Sequence, residues 1–117
     1  MDDERPRVAA VFLNRLRTGM KLQADPTVQY AVSEEASGVW WKTGLTMTDL
    51  AVVSPYNTYR FPGLPPAPIA NPGVRSIIAV VQPAVTEDLF FVARGDGSHA
   101  FSKTLEEHQR NVDRYVE

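Results

Sequence analysis

The chain has no cysteine. That excludes disulfides and thiolate metal sites, and it suits the cytoplasm and the bacterial envelope equally. His99 and His108 are the only histidines. With no His-Glu-x-x-His spacing and no acidic calcium-loop pattern, metal chemistry has no footing here, and no cofactor is expected. A Gly-rich phosphate cradle is missing, because Gly95-Asp96-Gly97-Ser98 opens no helix, and so is the Gly-x-Ser-x-Gly elbow of serine hydrolases. No run approaches the ~20 apolar residues of a membrane span, and no signal peptide is legible at the charged start. The net charge is only -2 and no basic run stands out. Bulk attraction to nucleic acid or to an anionic membrane is therefore not expected, and the chain itself reads as soluble.

What is present is an ordinary globular composition: 117 residues, 44% hydrophobic and 22% charged, enough for one domain with a real core. The spacing predicts an opening helix capped by Asp2 or Asp3, with Pro6 in its first turn and Gly19 as its stop. Val8, Val11, Phe12 and Leu16 form its apolar stripe, and Arg5, Arg15 and Arg17 lie off it. Asp25-Pro26 starts a second helix with Val28 and Val32 on its buried face. Residues 33 to 45, with Trp40-Trp41, read as an irregular excursion. Thr46 and Asp49 have capping-box spacing ahead of Leu50, Val52 and Val53. Asn71-Pro72 starts another helix, with a stripe of Val74, Ile77, Ile78 and Val81 that stops before Pro83. Leu89 to Val92 and His99 to Ser102 read as a hairpin around Gly95-Asp96-Gly97. Thr104 and Glu107 cap a last helix with Leu105, Val112, Tyr115 and Val116 as its apolar positions. The expected architecture is α+β: several helices around a small hairpin, wrapped by one long loop.

That loop, residues 55 to 73, is rich in proline yet carries Tyr56, Tyr59, Phe61, Leu64 and Ile69. Prolines remove backbone donors and fix φ, so it is neither a helix nor a central strand. A rigid, apolar loop lined with amide and hydroxyl groups is a preformed ligand surface, or else a plug for a small core. Among the carboxylates, Glu4, Asp25, Asp49 and Asp96 are possible acids or bases. Each also has a local explanation: Glu4 at a helix dipole, Asp25 as a cap, Asp49 as a capping partner, Asp96 in a turn. His99 beside Phe101 fits a packed histidine as well as a reactive one. Of adjacent Trp40 and Trp41, at most one would face a ligand.

Four segments, in order, resemble the YceG-like family of endolytic murein transglycosylases. They are Glu4-Arg5 through Val8-Ala9 and on to Leu16; Gly19-Met20-Lys21-Leu22-Gln23-Ala24-Asp25-Pro26-Thr27-Val28; Tyr56-Asn57-Thr58-Tyr59 with Gly63-Leu64-Pro65-Pro66 and Pro68 through Gly73; and Leu89 to Ala93 with Gly97, His99, Phe101, Thr104-Leu105 and His108. The resemblance implies a fold with some likeness to lysozyme. It also implies a parent anchored in the bacterial inner membrane by an upstream helix and acting on the periplasmic side.

It implies cleavage of peptidoglycan between N-acetylmuramic acid and N-acetylglucosamine to leave a 1,6-anhydromuramyl end, by one carboxylic acid that serves as acid and then as base. In the family that glutamate lies in a Glu-x-Glu segment just before the stretch matching Glu4-Arg5. The chain is therefore expected to be the C-terminal part of the catalytic domain, over residues 1–117, without the LysM-like region, the anchor or the catalytic acid; Glu4 is the only carboxylate near that place. Carried over by position, Gln23, Asp25, Tyr56, Asn57 and Tyr59 line a glycan groove, Leu64, Pro65 and Asn71 shape the loop, and His99 with Phe101 closes the far wall. The implied partners are glycan strands and cell-wall synthases. A non-catalytic glycan-binding or scaffold module is the alternative reading.

Overall fold

The computed structural model describes residues 3–35 and 44–116, so Trp40 and Trp41 lie outside the described residues. It contains α1 (Arg5–Thr18), α2 (Asp25–Glu35), α3 (Met47–Leu50), α4 (Val74–Val81), the strands β1 (Phe90–Ala93) and β2 (His99–Ser102), and α5 (Leu105–Tyr115). The class is α+β, with a two-stranded antiparallel hairpin. Residues 51–73 contain neither helix nor strand. The chain divides into two compact units, Met1–Arg15 with Pro72–Glu117, and Leu16–Asn71.

In the first unit, α1 begins at Arg5, whose N–H donates to Asp3 Oδ1 at 3.1 Å, and the Glu4 carbonyl accepts the first helical bonds, from Arg7 and Val8. The helix ends at Gly19, whose φ of +75° a side chain would resist. Its buried residues are Ala9, Ala10, Val11, Asn14 and Arg15, a narrower and more polar stripe than expected. Arg15, expected on the outer face, is only 7% exposed. Its Nε donates to the Leu89 carbonyl at 2.7 Å, and the guanidinium lies 5.4 Å from the Phe90 ring centre. An arginine stem can bury against rings when its head finds an acceptor. Asn14 does the same with an amide: Nδ2 donates to the Thr86 and Asp88 carbonyls, both at 2.9 Å. These bonds, with Ala84 N–H to the Pro6 carbonyl at 3.1 Å, fasten residues 84–89 along the helix.

The hairpin pairs Phe90 with Ser102 and Ala93 with His99. Its turn is held by Asp96, whose Oδ1 accepts the Ser98 N–H at 2.9 Å and also the Ser98 hydroxyl. Those Ser98 bonds, the hydroxyl's first, hold the Asp96 carboxyl below the ordinary carboxylate range. Thr104 caps α5 by accepting the Glu107 N–H. The helix returns against the hairpin, where the His108 ring stacks on Phe90 with centroids 4.9 Å apart. Leu105, expected on the buried face, is 65% exposed.

The largest departure is α4. Asn71 does not cap it; Gly73 occupies the N-cap with no side-chain bond. The helix stops before Pro83 as expected, but Val74, Ile77, Ile78 and Val81 are all exposed, and only Ala79 is buried. Periodicity shows that a helix has an apolar face; it does not say what covers that face.

The second unit is built differently. α3 carries the full capping box: the Asp49 N–H donates to Thr46 Oγ1 at 3.1 Å, and the Thr46 N–H to Asp49 Oδ2 at 2.9 Å. Val28 and Ala31 of α2 are buried with Leu22, while Val53 is 67% exposed. Alongside the apolar residues, Thr27, Ser54, Asn57 and Thr58 are buried too. They satisfy a backbone that has no ladder of its own.

Candidate functional site

Two arrangements of chemistry-bearing side chains emerge, one in each unit. In the first, Val8, Ala9 and Phe12 of α1, Ala79 and Val80 of α4, and His99 at the start of β2 enclose a cleft of about 460 Å³, with Glu4 at its wall. Helical spacing puts Val8 and Phe12 on one side of α1, and α4 supplies small or β-branched side chains opposite.

Glu4 and His99, 95 positions apart in the chain, meet there. Glu4 Oε1 accepts the His99 N–H at 3.0 Å and lies 3.1 Å from the ring Nδ1. An ionised carboxylate only accepts, so with Glu4 ionised the tautomer that closes this contact is the one with its hydrogen on Nδ1. The His99 ring meets Phe91 edge-on with centroids 5.6 Å apart, and Phe91 meets Phe12 the same way at 5.8 Å. The carboxylate thus ties the start of α1 to the hairpin through a histidine held by rings. Phe101, expected to close a far wall, does not line the cleft. Its face is taken by the Arg7 guanidinium, 4.0 Å from the ring centre, and Arg7 Nη2 lies 3.9 Å from Asp88.

In the second unit the chain from Gln23 to Asp25 runs beside Thr58 and Tyr59. The Gln23 N–H donates to the Thr58 carbonyl at 3.2 Å, and the Ala24 N–H to Thr58 Oγ1 at 2.9 Å. Thr27 Oγ1 completes the group, 2.8 Å from Thr58 Oγ1. Buried hydroxyls are therefore paired, and the polar groups left facing outward are those of Gln23 and Asp25. The Tyr59 hydroxyl donates to Asp25 Oδ1 at 2.6 Å. Asp25 stands at the first residue of α2, where its carboxylate takes this phenol as well as meeting the positive end of the helix. Tyr56 packs on Tyr30, with ring centroids 4.9 Å apart.

Asn57 belongs to the scaffold. It is fully buried, its Nδ2 donating to the Leu50 and Val52 carbonyls at 3.0 and 2.8 Å and its Oδ1 accepting the Tyr59 N–H at 2.9 Å. An amide so engaged cannot reach a sugar, which corrects its placement in the groove. Leu64 is 73% exposed, Pro65 half-buried and Asn71 exposed. Gln23, Asp25 and Tyr59 are thus brought together, while Glu4 and His99 belong to the other unit. Sequence reasoning missed Tyr30, Thr27 and Thr58. Tyr30, in the second turn of a helix with a proline start, carried only the signal of an aromatic on a weakly amphipathic segment. Among the described residues, no three His, Asp or Glu side chains are grouped to hold a metal.

The sequence profile of the YceG-like family matches residues 1–114. The chain belongs to the YceG-like family. It is 43% identical over 113 residues to an endolytic murein transglycosylase of Bacillus subtilis, covering 97% of this chain and 30% of the relative. Against the endolytic murein transglycosylase of Streptococcus pneumoniae serotype 2, identity is 30% over 115 residues, covering 97% of this chain and 21% of the relative. A YceG-like protein of Listeria monocytogenes, known by crystal structure, superimposes with a TM-score of 0.80 at 45% identity, covering 94% of this chain and 33% of that one. This YceG-like chain therefore spans less than a third of the length of the curated relatives it matches.

Proposed function

We propose that this chain is part of the catalytic domain of a peptidoglycan lytic transglycosylase, and that its parent cuts glycan strands between N-acetylmuramic acid and N-acetylglucosamine. The observation that carries the reading is the 43% identity, along nearly the whole chain, to a relative named endolytic murein transglycosylase. In this reading a carboxylic acid protonates the glycosidic oxygen as its bond to C1 breaks. The resulting carboxylate then takes the proton of the muramyl 6-hydroxyl as that oxygen closes on C1, leaving the anhydro end. No water is consumed and the acid is regenerated.

By the family resemblance, that acid is a glutamate of the parent, upstream of the stretch that matches Glu4-Arg5. Glu4 itself has Oε1 committed twice to His99, which suits a residue that fixes the start of α1. In the second unit the outward groups of Gln23 and Asp25, with the rings of Tyr56 and Tyr59, contact sugar. Leu64, Pro65 and Asn71 shape the proline-rich loop, whose stiffness, like the lysozyme-like character of the fold, is part of the proposal. The parent is placed at the bacterial inner membrane, facing the periplasm, with glycan strands and cell-wall synthases as partners. Among the described residues no helix is long and apolar enough to cross a membrane.

The test is muropeptide analysis of murein treated with the full-length protein. Anhydromuramyl ends are expected; reducing ends alone would mean hydrolysis and overturn the mechanism. The 117-residue chain alone should release nothing. The occupied carboxylate of Glu4 favours a second reading, a glycan-binding module without chemistry. It prevails if the full-length protein binds uncrosslinked strands and leaves them intact.

A further inference from the structure

Gln23 is the only non-glycine with a positive φ among the described residues, at +50°. In this left-handed region Cβ crowds the following carbonyl, and glutamine lacks the short polar side chain with which asparagine or aspartate offsets the strain. At the other positive-φ positions among the described residues, Gly19, Gly63, Gly95 and Gly97, the residue is the one that suffers no such crowding.

The main chain forces the conformation from both sides. Leu22 is buried immediately before, and the N–H groups of Gln23 and Ala24 are both engaged by Thr58. The side chain receives nothing in return: it is exposed and makes no hydrogen bond among the described residues. Local structure therefore explains the turn at position 23 but not a glutamine in it. Strain of this kind, held by its surroundings, points to a role for the group it displays.

The group displayed is a primary amide with one acceptor oxygen and two donor hydrogens, next but one to the carboxylate that takes the Tyr59 hydroxyl. A 2-acetamido substituent presents one N–H and one carbonyl, and a side-chain amide can meet both at once. Sugar hydroxyls fall naturally to the Asp25–Tyr59 pair, and the sugar face to the tyrosine ring. We propose that Gln23 reads the 2-acetamido group of an amino sugar in the glycan and so sets a preference for N-acetylated strands. The inference rests on the proposed transglycosylase reading and adds to it the substituent recognised and the residue that recognises it.

The experiment uses the full-length protein with uncrosslinked glycan strands, native and de-N-acetylated, and compares the unmutated enzyme with Gln23→Gly and Gln23→Met. The unmutated enzyme should favour native strands by ~10-fold or more in kcat/KM, the scale expected when a hydrogen-bonding site meets an analogue lacking its partner. Gln23→Gly relieves the strain, so its Tm should hold or rise while it loses that factor on native strands, mainly through KM, and changes little on de-N-acetylated ones. Gln23→Met keeps the size without the amide and should lose the preference likewise, even if the glycine variant folds poorly. Variants that keep both rate and preference overturn the assignment, and so does an equal loss on both substrates. If the unmutated protein cleaves no murein at all, the transglycosylase reading falls and this inference with it. Cleavage with an unaltered preference in the variants sinks this inference alone.

Discussion

The two units solve the same problem by different means. In the first, helix and strand satisfy most of their own backbone groups, and small apolar residues such as Ala9, Ala10, Val11, Ala79 and Ala100 close the interior. Among its described residues the second has α2, the short α3 and the last turn of α1 as regular structure. Over most of its loop the carbonyls have no ladder to join. Side chains take the place of the ladder: Asn57 serves Leu50, Val52 and Tyr59, while Thr58 serves Gln23 and Ala24 through its carbonyl and hydroxyl. Irregular backbone can be as determined as a helix, provided buried amides and hydroxyls supply the bonds that regularity would have supplied.

Asn57→Ala is the hardest test of that contrast. It removes the donor to two part-buried carbonyls, and at ~1–3 kcal/mol for each group left unpaired the loss should reach ~3 kcal/mol. Hydrogen exchange should show it as lost protection over residues 50–60. A loss under ~1 kcal/mol would mean the loop is held mainly by apolar burial. Asn14→Ala is the counterpart in the first unit. It also strands two carbonyls, but beside a helix that keeps its own bonds, so we expect ~2 kcal/mol by urea denaturation. A cost exceeding that of Asn57→Ala would reverse the comparison. Thr104→Ala, which removes a helix cap, should cost ~1 kcal/mol, with fraying read by exchange in the first turn of α5.

A pH titration sharpens the picture of the first unit. Burial first, and the nearby Arg15 charge second, push His108 below its ordinary value of 6.5. The unfolded chain therefore takes up its proton before the folded one does. The His108 contribution to stability is complete above about 6.5 and is lost as pH falls through the folded value. Replacing His108 with phenylalanine, which keeps the stack on Phe90, should flatten the slope of stability against pH below 6.5. An unchanged slope would place the titration elsewhere. The smallest effect belongs to Tyr59→Phe. Its hydroxyl bonds an exposed carboxylate, so stability should change by under ~1 kcal/mol, while glycan binding weakens if Asp25 and Tyr59 contact sugar as proposed.

Local rules carried most of the element reading. Capping signals at Thr46, Asp49 and Thr104 and the Gly-Asp-Gly turn act within a few residues, so they stand in the sequence much as they stand in the structure. What could not be read was the partner of a face or of a side chain. The apolar stripe of α4 looked like a core stripe and is exposed, because a period states that a face exists and not where it goes. Arg15 looked like a surface charge and is buried, because its acceptor lies 74 positions away. Asn57, in an aromatic and proline-rich setting, resembled a ligand contact. The same composition that suggested a binding loop also required internal amides to hold it. Gln23 drew notice through its family segment, but its backbone strain is a property of three dimensions alone.

The division of the chain also bears on the order in which it can be made. Residues 16–71 form one unbroken stretch, whereas the other unit is assembled from two pieces that flank it. On a ribosome, the loop unit is complete in sequence while Asn14 still waits for Thr86, 72 positions on, and Arg15 for Leu89. Vectorial synthesis thus favours the unit with the least regular structure forming first, with its asparagine and threonine bonds all local to it. The helix-and-hairpin unit, by sequence the easier to recognise, has to close its longest loop before any of its clamps can engage.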